Sequence, residues 1–121
     1  MPKPPGRHAA PRTAIGPWTL RPASARAQKE WEHARAAEPE LMSALRERLR
    51  LRPLDRSDNP NRTHQLKPPL AEKVVGGKRL PQWQHELSNG GRVVYCPDRP
   101  DRIVWVTRVE LAHPKETWSG S

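Results

Sequence analysis

The stretch "PQWQHELSNGGRVVYCPDRPDRIVWVTRVEL" constrains this fold more than any other part of the chain. It predicts strands over residues 79–87, 92–97 and 103–111, with turn chemistry in "SNGG" and "DRPD" between them. Ile103, Trp105, Thr107 and Val109 alternate with Val104, Val106 and Arg108. The last strand therefore begins apolar on both sides, as a strand inside a sheet does. Such an antiparallel meander has to be covered on its apolar face by something else in the chain.

The cover is upstream. "WTLRPA", residues 18–23, alternates as a short strand. Ser24 is placed to cap a helix, "ARAQKEWEHARAA", whose apolar side is Ala27, Trp31 and Ala34. Glu38-Pro39 breaks it, and Pro39 suits the first turn of a second helix, "PELMSALRERLRL", with Met42 and a stripe of Leu41, Leu45 and Leu49. "RPLDRSDNPNR" is loop chemistry, and "VVGGK" reads as a small hairpin turn. The expected fold class is α+β: one strand and two helices, then a three-strand antiparallel meander with the helices packed on one sheet face.

The hydrophobic fraction is 34%, and 15 of the 121 residues are Pro, so the folded unit is expected to be smaller than the chain. Residues 1–16 read as a disordered basic tail, 17–118 as one domain and 119–121 as a disordered end. No apolar run reaches the ~18 residues of a membrane span, and the N-terminus has no apolar core of a secretory signal. Cytoplasmic location and no membrane partner are the expectation. The lone Cys96 excludes an internal disulfide and is expected to be a buried, inert thiol. Net charge is +9, which suits a polyanionic or acidic partner.

Four clusters carry possible chemistry: His64 with Lys67, Trp83 with His85, Arg92, and His113 with Lys115 and Trp118. Whether Trp83 and His85 lie beside Arg92 depends on the register of the hairpin. Imidazoles exchange protons near neutral pH, Arg grips phosphate bidentately and Trp stacks on unpaired bases. Together these residues suit gripping RNA, and cutting it by attack of a ribose 2′-OH on the adjacent phosphorus. The spacing matches no metal site, and no cofactor is expected.

The chain resembles the RelE/ParE superfamily of bacterial type II toxins, and its RelE-like ribonuclease branch in particular. The resemblance runs over residues 18–118. It rests on "WTLRPASARAQKEWEHA", "THQLKPPLA", "QWQHELSNGGRVVYCPD" with its "GRVVY", and "VWVTRVELAHPKETW" in that order. It implies an mRNA interferase that cuts mRNA on the ribosome without metal, paired with an acidic antitoxin. By position, Arg92 matches the Arg that holds the scissile phosphate. His85 and His113 are the first candidates for base and acid, with His64 third. Trp83, Lys67, Lys115 and Trp118 would bind RNA. Two alternatives stand beside it: a ParE-like poison of DNA gyrase, and an RNA-binding module that does not cut. Trp118 departs from the family's terminal Tyr, and "AEKVVGGKRL" lengthens the loop before the hairpin.

Overall fold

The computed structural model describes residues 16–57 and 61–112. The expected tail (Gly16 excepted), the expected end, and His113, Lys115 and Trp118 lie outside them.

The described chain is α+β, and its first elements fall where capping and periodicity place them. β1 is Thr19–Pro22, α1 is Ala25–Ala37 and α2 is Pro39–Leu51. Ser24 Oγ accepts from Ala27 N–H at the start of α1, and Pro39 opens α2. Two short elements follow: β2, Thr63–Gln65, a strand the sequence reading does not foresee, and β3, Glu72–Val75, the first arm of the hairpin expected at "VVGGK". β3 pairs with β4, Lys78–Pro81, across Gly76-Gly77. Both glycines have positive φ, +60° and +81°, as a two-residue hairpin loop requires. β5 is Trp83–Glu86, β6 is Arg92–Asp98 and β7 is Ile103–Glu110.

The expected first strand of the meander, 79–87, is thus two strands. The break is at Gln82. Its N–H donates to Ala71 O, its carbonyl accepts from Leu66 N–H, and its side chain donates to Leu70 O. The chain leaves its pairing with β3 there and takes up β2 instead.

The main sheet has the order β1-β7-β6-β5-β2, with β3 and β4 forming a separate two-stranded ribbon. β5, β6 and β7 form the antiparallel meander, and β1 joins β7 in parallel. A bulge at Val94/Tyr95 shifts the β6–β7 register. The last strand is interior, between β1 and β6, as its two-sided apolarity predicts.

One core holds Ala34 of α1 and Met42, Leu45 and Leu49 of α2 against Val93, Tyr95, Val104, Val106 and Val109 of the sheet. Trp31 packs against this core half-buried. A smaller cluster lies on the other sheet face, where Val75 and Leu80 of the ribbon cover Cys96 and Trp105. Lys78 Nζ fastens the ribbon, 2.9 Å from Asp98 and 3.0 Å from Asp101. Cys96 is fully buried, and burial pushes its thiol up to about 11. Gly91 is held to a bare backbone: a Cβ there would meet Glu110 O at 2.3 Å.

Tyr95 ties the sheet to the loop after α2, its hydroxyl donating to Pro53 O at 2.6 Å. Both groups are buried, so removing the hydroxyl leaves a carbonyl without its donor. Tyr95→Phe is expected to lower stability by about 1–3 kcal/mol, read as a fall in the urea midpoint. An unchanged midpoint would mean that this bond contributes nothing.

Candidate nucleic-acid interface

Side chains alternate across a strand, so the cross-strand pairs decide which residues meet. Trp83 pairs with Tyr95 and His85 with Val93. Tyr95 and Val93 belong to the core under the helices. Trp83 and His85 therefore sit on the helix-packed face, and Arg92, one residue before Val93, points the other way. The expected meeting of Trp83 and His85 with Arg92 does not occur, and the register of one hairpin is the reason.

His85 is built into the interior. It is 8% exposed and lies opposite the fully buried Thr63. Its Nδ1 is 2.8 Å from Thr63 Oγ1. That oxygen also accepts from Arg48 of α2 at 3.2 Å, and Arg48 donates to Asp55 O at 2.8 Å. Imidazole, hydroxyl and guanidinium tie β5, β2 and α2 together beneath the sheet. Trp83 is half-buried against the same core.

The other face carries two rows. His64 pairs with Gln84, Gln84 with Val94, and Val94 with Arg108. Beside that row, Glu86 pairs with Arg92, and Arg92 with Glu110. His64 and Arg92 are two strands and one row apart, about 12 Å between Cα atoms from strand spacing and rise. Lys67 is exposed in the turn after β2, where its carbonyl accepts from Leu70 N–H.

Arg92 is the one exposed residue of β6. Its Nε donates to Glu110 Oε1 at 2.8 Å. The second oxygen of Glu110 accepts from Arg108 at 2.7 Å. Arg108 Nε also pairs with Glu30 of α1 at 3.3 Å, and Arg26 reaches the same carboxylate at 3.1 Å. Three guanidiniums thus face two carboxylates, leaving +1 on this chain of ion pairs. Only Nε of Arg92 is engaged in it, which leaves the two terminal nitrogens of the fork for an anion.

Glu30 does a second job. Val109 N–H donates to its Oε1 at 2.8 Å. β1 pairs with β7 only as far as Val106, so α1 closes the exposed edge of β7 with a carboxylate. Burial works to raise the pKa of Glu30, but the bonds from Val109, Arg26 and Arg108 together hold it below 4.5.

Between α1 and the ends of β6 and β7 lies an open groove of about 1060 Å³. Arg92, Arg108, Lys29 and His33 line it, with the carboxylates Glu30, Glu38 and Glu110. Among the described residues His33 is the imidazole that shares a groove with Arg92, and sequence reasoning passed it over. The signal was its place one turn after Glu30 on α1, which puts both on one helix face. Glu86 and Glu110 were also missed. Pairing outward from the "SNGG" turn finds Glu86 opposite Arg92. Glu110 needs the bulge as well, which no residue announces.

No group of three or more His, Cys, Asp or Glu among the described residues is arranged to hold a metal ion. No helix among them is long and apolar enough to cross a membrane.

Two outcomes test this arrangement. His85→Ala is expected to cost about 1–3 kcal/mol of stability through the lost buried bond, while His64→Ala stays within about 0.5 kcal/mol, as surface substitutions do. Urea midpoints of both variants decide it, and a larger loss at His64 would reverse the assignment of faces. The second test is acid. The contribution of Glu30 is present in full above its unfolded value of 4.5 and is lost as pH falls through its lower native value. The stability gap between the native chain and Glu30→Gln is therefore expected to hold steady near neutrality and to narrow on acidification below about 4.5. Urea titrations of both proteins at several pH values would show it, and a gap that widens in acid would contradict it. Comparison with protein-family models, with curated proteins and with solved structures finds no match to this chain.

Proposed function

We propose that this chain is the toxin of a type II toxin–antitoxin pair, a ribosome-dependent endonuclease that cuts mRNA without metal. The observation that carries the reading is Arg92. It is exposed, it is held at Nε by Glu110, and it shares a groove with His33, Lys29 and Arg108. A phosphate held bidentately by its terminal nitrogens would have Arg108 and Lys29 in the same groove, along with the carboxylates Glu30, Glu38 and Glu110. A base takes the proton of the ribose 2′-OH, and the oxygen attacks the adjacent phosphorus. The phosphorus–5′-oxygen bond then breaks, and an acid protonates the departing oxygen. Arg92, Arg108 and Lys29 offset the charge that builds on the phosphoryl oxygens.

The candidates for proton transfer are His33 in the groove, and His64 and Glu86 on the open sheet face. His113 follows Ala112 by one residue in the chain and keeps its place as a candidate acid. His85, buried on the opposite face, has no part at the phosphate in this reading. The resemblance to RelE-like toxins supplies the ribosome, the mRNA and an acidic antitoxin as partners. A second reading, RNA binding without cleavage, is favoured by that same burial, because it takes the first-choice imidazole away from Arg92.

Primer extension on a translated reporter mRNA separates these readings. Induction of the native chain is expected to give cuts in phase with codons. Arg92→Ala is expected to reduce them by about 100-fold or more, the scale of losing a charge-stabilising group. The fold survives that change, since an exposed ion pair contributes little. Arg99→Ala, in the exposed turn after β6, serves as the control that still cuts. Intact mRNA with growth arrested would overturn the reading in favour of gyrase. Intact mRNA with salt-sensitive RNA binding would leave the binding module.

A further inference from the structure

The ribbon of β3 and β4 lies on the open sheet face, over Cys96 and Trp105, yet neither of its strands pairs with the main sheet. Its two chain ends are clamped together. Gln82 N–H donates to Ala71 O at 2.8 Å, and Gln82 Nε2 donates to Leu70 O at 2.9 Å. Gln65 Nε2 of β2 adds a third bond, to Ala71 O at 3.0 Å. The tip, Gly76-Gly77, is at the other end, roughly 13 Å away at the rise of a four-residue strand.

Between clamp and tip the ribbon is held down by two apolar side chains. Val75 and Leu80 are buried against Cys96, with Ala23 and Trp105 beside them. A two-stranded hairpin is marginal in water by itself. The further tie is Lys78, the first residue after the tip. Its Nζ donates to Asp98 Oδ2 at 2.9 Å and to Asp101 Oδ2 at 3.0 Å. Lys78 and Asp101 are half-exposed, but the side chain of Asp98 is only 3% exposed. Its second oxygen, Oδ1, is buried with no hydrogen-bond partner among the described residues. Lys78 is thus the cation with which a buried carboxylate is paired, and it comes from the end of the ribbon farthest from the clamp.

We propose that the ribbon is a hinged cover that opens as a unit about Ala71 and Gln82, and that Lys78 is its latch. With the latch released, Asp98 is a buried charge without its cation, and lifting the ribbon brings water to it. That motion breaks no pairing of the main sheet and leaves the helix-packed core in place. Partial opening of this kind belongs to elements held by few buried apolar contacts. The cover changes the sheet face it lies on. Cys96 pairs with Trp105, and Arg108 follows three residues later opposite Val94. Closed, the ribbon ends the open face beside Val94 and Arg108. Open, it adds the indole of Trp105 to that face. None of this depends on the proposed function, since a ribbon can open in a chain that cuts no RNA.

Cys96 is the only cysteine, so its alkylation reads the cover. The full chain is treated with iodoacetamide under native conditions, and amide hydrogen exchange is followed in parallel. Labelling of the urea-unfolded chain gives the reference reactivity. Cys96 of the native chain is expected to label faster than global unfolding allows and with a weak dependence on urea, because opening the ribbon exposes little surface. The amides of β3 and β4 exchange with the same weak dependence, while those of β6 and β7 stay slow. Lys78→Ala is expected to raise the labelling rate about tenfold or more, through the carboxylate it leaves unpaired. Asp101→Asn, at an exposed site, gives a smaller rise in the same direction and carries the test if Lys78→Ala does not fold. Unchanged labelling in both variants would overturn the proposal. So would native labelling with the full urea dependence of unfolding, or a rise in Lys78→Ala matched by faster exchange in β6 and β7. Absence of RNA cleavage would sink the nuclease reading and leave these labelling rates standing.

Discussion

β6 is buried at six of its seven residues, on both of its faces. That requirement organises the molecule. Val93 and Tyr95 need the helices, and Cys96 needs the ribbon of β3 and β4 on the other side. The ribbon brings Lys78 to a nearly buried Asp98, which would otherwise be a buried charge without its cation. Only the first residue of β6 escapes cover. Arg92 is exposed because the ribbon lies over the far end of the strand and the groove beside α1 opens at the near end.

The helices were legible because their limits are local. A cap at Ser24, a Pro at position 39 and apolar stripes at helical spacing need no knowledge of the rest of the chain. The "VVGGK" turn and the two hairpins of the meander were legible for the same reason. β2 was not, since three residues carry too little alternation to read. The division of one expected strand at Gln82 was hidden too, because it depends on which partner each half finds. The face of His85 was the costliest miss. β6 is apolar on both sides, so nothing in its residues marks which side meets the helices. A shift of one residue would have exchanged His85 and Gln84. The burial of Thr63 opposite His85 settles the matter, and it is visible only in three dimensions.

The two faces of the sheet divide the polar chemistry. Beneath the helices, Arg48, Thr63 and His85 are hydrogen-bonded in a set that joins three elements. On the other side, Arg92, Glu110, Arg108, Glu30 and Arg26 form a chain that runs from the open face round the edge of β7 to α1. The first set is buried at Thr63 and His85 and half-buried at Arg48, and it holds the fold. The second is reached by solvent and can exchange partners with an incoming anion.

That exchange need not break the chain of ion pairs. Glu110 takes only Nε of Arg92, at 2.8 Å, and leaves the terminal nitrogens of the fork outside that bond. A guanidinium fork fixed at one edge loses less side-chain freedom on binding than a loose one. Glu110 is itself fixed by Arg108, and Arg108 by Glu30, whose Oε1 also accepts from the backbone N–H of Val109 in β7. The orientation of Arg92 is thus referred, through carboxylates, to the sheet backbone. In this arrangement the carboxylates beside Arg92 repel an anion through their charge but favour its binding by fixing the fork. They hold the fork still, and +1 is left over on the chain of ion pairs.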